Sequence, residues 1–161
     1  MTMHLPTSMD VRELLEGLLG RDVAVRPAPP LAPGPSTPAS VGVYVDDALR
    51  VAAVSCADLA LSARAASSLG LLPLSAAEAA IENGELDEGL TENFYEVLNI
   101  AASLFNAPGA EHVRLYAMHA PGEPLPADAR ARALTLGRRL DLEVEVAGYG
   151  SGRFSMVLTP A

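Results

Sequence analysis

The sequence has no lysine and no tryptophan, a single cysteine, and aromatic residues at only 4 % of its 161 positions. Without lysine, the chain can form no Schiff base through a side-chain amine and cannot hold a phosphate with the lysine of a P-loop. Cys56 has no second cysteine with which to form an internal disulfide, which fits a reducing compartment. These absences exclude amine-based covalent catalysis and the common mode of nucleotide binding.

Positive charge is also scarce, since eleven basic residues, all arginine, face twenty acidic ones and leave a net charge of −9. A surface of this sign repels phosphate-rich partners, so we expect the protein to bind neither nucleic acid nor an anionic membrane. No apolar run reaches the roughly 18 residues of a membrane-spanning helix, and the opening "MTMHLPTSMD" lacks the features of a signal peptide. We therefore expect a cytoplasmic protein.

Apolar residues, in contrast, make up 50 % of the chain, and alanine, leucine and valine supply most of them. A chain of this length can bury about two thirds of its unfolded surface, which suits one core. We predict a single domain over residues 1–161. Six prolines crowd the segment 27–38, which can join neither a helix nor a central strand, so we expect an exposed loop there.

The first half of the chain predicts a helix, a strand, a hairpin and a second helix. Apolar residues recur at helical spacing over 8–19, where Gly20 ends the helix, and "DVAVR" follows as a strand. The β-branched runs "VGVYV" and "LRVAAVSC" are separated by turn residues that start at Asp46, which indicates a β-hairpin. Asp58 is placed to cap the next helix, which Gly70 ends.

The second half predicts further helices and strands without a regular rhythm. Ser75 and Glu78 match the capping box of one helix, and a long central helix is predicted over 85–106. The strand "HVRLYAM", a weaker helix over 126–140, and a terminal hairpin of "LEVEV" and "RFSMVL" follow. Because strands and helices do not alternate as βαβ units, we predict an α+β fold. Its mostly antiparallel sheet would pack against long helices.

Several motifs that suggest chemistry have simpler structural explanations. The glycine-rich run 148–152 is followed by a strand, whereas a dinucleotide-binding loop opens a helix, so a hairpin turn is favoured. His112 and His119 have no ligand partners at zinc-site spacing. We interpret Cys56 as a small core residue. The clustered arginines are interpreted as a solvated helix face; they are Arg130, Arg132, Arg138 and Arg139.

The central helix carries a polar row that needs explanation. With Leu90 set at zero and 100° per residue, its apolar side chains lie between about −40° and +80°. On the opposite side, between about 180° and 240°, lie Glu92, Glu96, Asn99 and Ser103. Any amphipathic helix has a polar face, but a mid-helix asparagine is mildly unfavourable because its amide competes for backbone hydrogen bonds. Asn99 is therefore the candidate functional residue of this row.

The pattern Glu96-x-x-Asn99 on an amphipathic helix, with Glu92 before it and Pro121 after it, resembles the signature of the CheC/CheX/FliY family of CheY phosphatases. The order of hairpin, helix, motif helix, strand, proline and terminal hairpin is also similar, over roughly residues 40–160. A single motif is most similar to the dimeric CheX type. The resemblance implies a CheX/CheC-like fold and a homodimer.

The resemblance further implies hydrolysis of the aspartyl phosphate on a CheY-like receiver, in chemotaxis or related two-component signalling. Asn99 would position the attacking water, because a carboxamide donates and accepts hydrogen bonds at once. Glu96 would pair with the receiver's lysine. No cofactor of its own is implied, because the receiver brings Mg²⁺. The partner would also contact Glu92, Ser103 and Pro121.

Two other hypotheses stay open at this point. A module with the same fold could bind a receiver or another signalling protein without hydrolysing anything. Alternatively, the short motif could be a coincidence on an unrelated α+β domain, because it consists of only a few defined positions.

Overall fold

The computed structural model describes residues 3–159 and forms, in that range, one six-stranded sheet. The strands lie in the order β1-β5-β6-β3-β2-β4, and every neighbouring pair is antiparallel. The strands are β1 (Val23–Pro27), β2 (Ala39–Val45), β3 (Val51–Asp58), β4 (Arg114–His119), β5 (Arg139–Val146) and β6 (Gly150–Leu158). β4 is therefore an edge strand, paired with β2 on one side.

The described part of the chain also contains five α-helices, so the predicted α+β class is confirmed. They are α1 (Ser8–Leu19), α2 (Leu59–Leu69), α3 (Leu74–Asn83), α4 (Glu88–Ala101) and α5 (Ala127–Ala133), with a 3₁₀ turn at Ala102–Leu104. α1 has its predicted bounds because Thr7 and Asp10 form a capping box and Gly20 ends the helix in the left-handed region, at φ 66°. Asp58 caps α2, accepting the Leu61 N–H at 2.9 Å.

The glycine-rich run is the β5–β6 hairpin turn, as the sequence indicated. One of its glycines also permits a close approach between strand and helix. A Cβ at Gly152 would lie 2.5 Å from the backbone nitrogen of Leu61. The first turn of α2 therefore packs directly on the backbone of β6.

Both faces of the sheet are covered. The larger core lies between the sheet and helices α1, α2 and α4, and it includes the fully buried Val11, Phe94 and Met156. On the other face, Cys56 and Leu31 pack with Ala133 of α5 in a smaller core. Cys56 has no exposed surface, which confirms its interpretation as a core residue.

The prediction of an exposed loop at 27–38 is wrong in part. Pro27 is the last residue of β1 and pairs with Leu142, where a proline is tolerated because β1 is an edge strand. Leu31 is only 1 % exposed, and its N–H donates to the Ser155 hydroxyl at 3.3 Å. The segment lies over the sheet because the leucine side chain fills the smaller core.

Two helix predictions also need correction. α3 begins at Leu74 without a side-chain cap, so the box of Ser75 and Glu78 is not formed. α5 ends at Ala133, far short of residue 140, because Arg139 pairs with Val157 in the sheet and tertiary pairing overrides a weak helical preference. The solvated-face interpretation is consequently wrong for Arg139, whose side chain is only 8 % exposed.

Candidate functional site

α4 is the helix that carries the polar row, and its ends differ from the predicted 85–106. It begins at Glu88 because the Asp87 carboxylate caps it, accepting the Leu90 N–H at 2.8 Å. It ends at Ala101, where the backbone tightens into a 3₁₀ turn and the Ala102 N–H donates to the Asn99 carbonyl. Asn99 therefore lies in the last turn of α4.

The two faces of α4 are divided as the angular pattern predicted. The apolar side chains of one face are buried; they are Leu90, Phe94, Val97, Leu98 and Ala101, continued in the 3₁₀ turn by Leu104. The four polar side chains of the opposite face are exposed; they are Glu92, Glu96, Asn99 and Ser103. We call these four residues the polar row.

A buried tyrosine holds the backbone directly beneath the row. The Tyr44 hydroxyl donates to the Leu98 carbonyl at 2.8 Å, one residue before Asn99. This carbonyl needs a partner because the Ala102 N–H bonds Asn99 instead of Leu98. Burial raises the pKa of Tyr44, so the phenol keeps its proton and remains a donor. The Tyr44 ring also meets the Phe105 ring edge to face, with centroids 5.1 Å apart.

A glycine on the same strand brings α4 close to the sheet. A Cβ at Gly42 would lie 3.0 Å from the Leu98 Cδ1 and 2.7 Å from the Ser55 hydroxyl oxygen. Any larger residue would therefore push against the buried side of α4. Together, Gly42 and Tyr44 fix the distance of the last turn of α4 from the sheet and its position along β2. This turn carries Asn99.

The amides of neighbouring asparagines have structural partners, whereas the Asn99 amide has none among residues 3–159. Asn93 donates to the Ala66 carbonyl of α2 at 3.2 Å. Asn106 pairs with both backbone groups of Val113, at 3.0 and 2.9 Å. Within the same range, the side chains of Glu92, Glu96 and Ser103 also form no hydrogen bond or ion pair. The folded chain thus leaves the whole polar row available to a partner.

Tyr95 is a candidate site residue that the sequence interpretation missed. The residue is 41 % exposed and lies four positions before Asn99, which makes the two side chains neighbours on the helix surface. Its position at about 140° on the same angular scale was the available signal. A large aromatic side chain beside a free amide adds apolar contact area to the row.

Pro121 is not part of the exposed row. It is buried in the loop after β4. A Cβ on the next residue, Gly122, would lie 3.9 Å from the Gly84 carbonyl oxygen, in the turn that precedes α4. The loop that contains Pro121 thus lies near the turn before α4, whereas Asn99 lies at the end of that helix. A buried proline offers little surface to a partner.

Two of the three histidines, His112 and His119, lie beside or on β4. His112 is exposed before the strand, and His119 ends it opposite Val41. Over residues 3–159, no three histidine, cysteine or acidic side chains are grouped so that they could hold a metal ion. Within that same stretch, no helix has both the length and the apolar character that crossing a membrane requires.

Neither a family model nor a curated protein sequence matches the chain. Solved structures, however, are similar in fold. A chain of the FliM–SpeE complex from H. pylori aligns with 94 % of this chain and 81 % of its own length, at a TM-score of 0.63 and 9 % identity. Thermotoga maritima FliY aligns with 93 % of this chain and 82 % of its own, at a TM-score of 0.54 and 18 % identity.

A chain of the CheX–CheY–BeF₃–Mg²⁺ complex from Borrelia burgdorferi is also similar, covering 94 % of both chains at a TM-score of 0.54 and 12 % identity. FliY and CheX are two of the proteins that the sequence resemblance named. FliM was not named there, but its complex aligns with this chain as well. The likenesses confirm the CheX/CheC-like fold that the resemblance implied.

Proposed function

We propose that this protein is a phosphatase of a phosphorylated, CheY-like receiver domain in chemotaxis or a related two-component pathway. The observation that carries the proposal is the polar row: an exposed Glu96-x-x-Asn99 pair without intrachain partners, on a helix turn held from below by Tyr44. The similarity to a chain of the CheX–CheY complex supports it. The protein would act in the cytoplasm, where receivers occur, and as a homodimer.

In this mechanism, the amide of Asn99 enters the receiver's site and holds a water in line with the aspartyl phosphate. The amide oxygen accepts a hydrogen bond from the water while its NH₂ donates, so both the position and the direction of attack are set. Glu96 lies three residues earlier on the same face and pairs with the receiver's lysine, which fixes the register of docking.

The remaining electrostatic stabilisation comes from the partner. The receiver's own Mg²⁺ neutralises charge on the phosphoryl group, so the phosphatase needs no cofactor of its own. Glu92, Ser103 and Tyr95 surround the pair on the exposed face and contact the receiver around its phosphorylation site. Pro121 acts indirectly, through the packing of the loop after β4 against the turn before α4.

A second candidate function is a docking module that binds a receiver or another signalling protein without hydrolysis. The similarity to structures of FliM in complexes with SpeE and with FliG supports it, because those structures are assemblies with other proteins. In this case the polar row would bind its partner, but the free amide of Asn99 would have no catalytic consequence.

Phosphate release from a panel of the host's phosphorylated receiver domains, measured with Mg²⁺, separates the two candidates. We expect Asn99→Ala to lower kcat by about 10²-fold, as removal of one preorganised catalytic donor does elsewhere, and to leave the unfolding midpoint unchanged. Asn83→Ala, at an exposed asparagine that ends α3, is the matched control and should retain full activity. Binding by the wild type without any acceleration of phosphate release would favour the docking module.

The role of Glu96 has its own test in the same assay. Glu96→Gln keeps the size of the side chain but removes the charge that would pair with the receiver's lysine, so we expect KM to rise more than kcat falls. An unchanged KM would argue against the charge pair. Light scattering tests the homodimer, which a monomer mass independent of concentration would contradict.

A further inference from the structure

The C-terminus of α2 presents an exposed leucine in an unfavourable backbone conformation. Leu72 N–H donates to the Ser67 carbonyl at 2.9 Å, and Leu71 N–H donates to the Ser68 carbonyl at 3.1 Å. These two bonds define a Schellman motif in which Leu71 is the C′ residue, the position where glycine is usual. Leu71 has φ 55° and is 86 % exposed. The chain thus holds a large apolar side chain in water at a position that disfavours it.

The glycine that could have filled this position lies one residue earlier, where packing against α4 requires it. A Cβ at Gly70 would be 2.5 Å from the amide nitrogen of Asn93. That amide donates to the Ala66 carbonyl, so the end of α2 lies against α4 at Asn93. Asn93 is adjacent in sequence to Glu92 and three residues before Glu96. The end of α2, with Leu71 directly after Gly70, therefore lies beside α4 at Asn93, and Asn93 adjoins the polar row at Glu92.

The surface formed by the exposed side of α4 and the end of α2 is acidic on the helix and apolar beside it. α4 carries three exposed glutamates, Glu88, Glu92 and Glu96, and no basic residue. Leu72 and Leu74, next to Leu71, are also exposed, at 38 % and 40 %. A partner that covers both parts must place a cationic side chain on the row and an apolar recess beside it.

We propose that Leu71 is the apolar anchor of the same receiver that docks on the polar row, inserting into a recess next to the receiver's cationic side chain. This inference rests on the proposed function, because it names a contact of the same partner. The anchor supplies affinity, whereas Asn99 supplies chemistry, so the two residues govern different kinetic constants. Leu71 touches no reacting group and is a docking residue.

Another exposed leucine provides a matched control. Leu49, in the β2–β3 turn, has φ 63° and is 59 % exposed. Its side chain lines a cavity with Val51 and Tyr116 on the α5 face of the sheet, away from the row, and these contacts cover part of its surface. Leu71→Gly and Leu49→Gly relieve the same backbone strain, but only the first removes a side chain beside the polar row.

The test measures the affinity of each variant for the host's purified receiver domains, loaded with Mg²⁺ and beryllofluoride as a phosphoryl mimic, by titration calorimetry. For the receiver that the wild type binds, we expect Leu71→Gly to raise Kd by about tenfold or more, as loss of an interface anchor does. Its kcat at saturating phosphorylated receiver should be unchanged, and its Tm equal or higher. Leu49→Gly should leave Kd unchanged.

The outcomes separate this inference from the proposed function. Equal Kd values for wild type and Leu71→Gly would overturn the anchor while the phosphatase assignment stands on Asn99→Ala. An equal loss of affinity in Leu49→Gly would also overturn it, because the effect would then be one of strain or general hydrophobicity. Failure of the wild type to bind any receiver would overturn both proposals.

Discussion

The polar row of α4 and the arginine-rich segment around α5 look alike in sequence but differ in the folded chain. Both were interpreted as polar faces exposed to solvent. The row side chains are exposed and form no hydrogen bonds within residues 3–159. Arg139, in contrast, is nearly buried, with its guanidinium 2.9 Å from Asp141, and it donates to the Ala133 and Thr135 carbonyls at 3.1 and 2.8 Å.

The ion pair of Arg139 and Asp141 belongs to a larger network of buried hydrogen bonds. The Ser155 hydroxyl donates to the Asp141 carboxylate at 2.5 Å and accepts from the Leu31 N–H. This network joins the end of α5, the strands β5 and β6, and the proline-rich segment. Even the more exposed Arg132 pairs with Asp128 at 3.2 Å, one turn away on α5. Polar groups that already satisfy each other are structural, and those left free are available for binding.

The largest effect on stability is expected where the arginine network is broken. Arg139→Ala would leave the Asp141 carboxylate buried without its cation, which typically costs about 3 kcal/mol or more of unfolding free energy. Arg138→Ala, at the exposed neighbouring arginine, should cost less than about 0.5 kcal/mol. Urea denaturation measures both variants. A loss from Arg139→Ala no larger than the control would show that the contrast between the two regions is false.

The second expected effect concerns the packing of α4 on β2 at Gly42. Gly42→Ala would place a methyl group 3.0 Å from Leu98 Cδ1 and 2.7 Å from the Ser55 oxygen. We therefore expect the free energy of unfolding to fall by about 1 to 3 kcal/mol and the rate of phosphate release to fall as well. Gly17→Ala, on α1, has nothing within 4 Å of the added Cβ and should stabilise the protein slightly. Denaturation and phosphate-release assays on both variants provide the measurement. Normal stability with normal turnover in Gly42→Ala would show that α4 can shift without consequence.

The third effect is smaller and sharpens the comparison, because it removes one hydrogen bond and keeps the packing. Tyr44→Phe leaves the Leu98 carbonyl without its side-chain donor, which should cost about 1 kcal/mol. A looser helix turn should lower kcat for phosphate release without changing KM. Tyr95→Phe, at an exposed tyrosine beside the polar row, is the control and should leave stability unchanged. A fall in KM and kcat together would argue against a positioning role for Tyr44.

The sequence predicted the elements with strong local patterns and failed where long-range pairing decided the structure. α1 has a capping box, apolar periodicity and a terminal glycine that all agree, and its bounds were predicted to the residue. The residues 134–140 had only a weak helical pattern, and the ladder between β5 and β6 converted the last of them into strand. The burial of Leu31 likewise depends on strands far away in sequence.

The candidate site was predictable to a similar degree. The exposure of the polar row follows from helical periodicity alone, which is why the angular pattern was sufficient. The support from Tyr44 was not predictable, because it depends on a contact across 54 residues. The left-handed conformation of Leu71 was not predictable for the same reason. The sequence indicated that the helix ends at Gly70, but Gly70 packs on Asn93, and the next residue, Leu71, has the positive φ.

The smallest expected effect is a pH dependence of stability from carboxylates that the chain itself satisfies. Asp46 accepts the Arg50 and Ala48 N–H groups, each at 2.9 Å, and these backbone bonds lower its pKa below the ordinary 3.8. The unfolded chain binds the proton more tightly, so the stabilisation is complete above about pH 5 and is lost as the pH falls through the folded pKa.

Thermal unfolding measured at pH 5, 4 and 3 tests this dependence. Asp46→Asn keeps an acceptor oxygen but removes the titration, so we expect its Tm to fall less over this range than that of the wild type. Glu92→Gln is the control for the change in net charge, because it lies on the row and removes no hydrogen bond within the described chain. An identical fall in Tm for wild type and Asp46→Asn would show that the turn carboxylate does not contribute to acid lability. The distinction between satisfied and free carboxylates would then lack an energetic consequence.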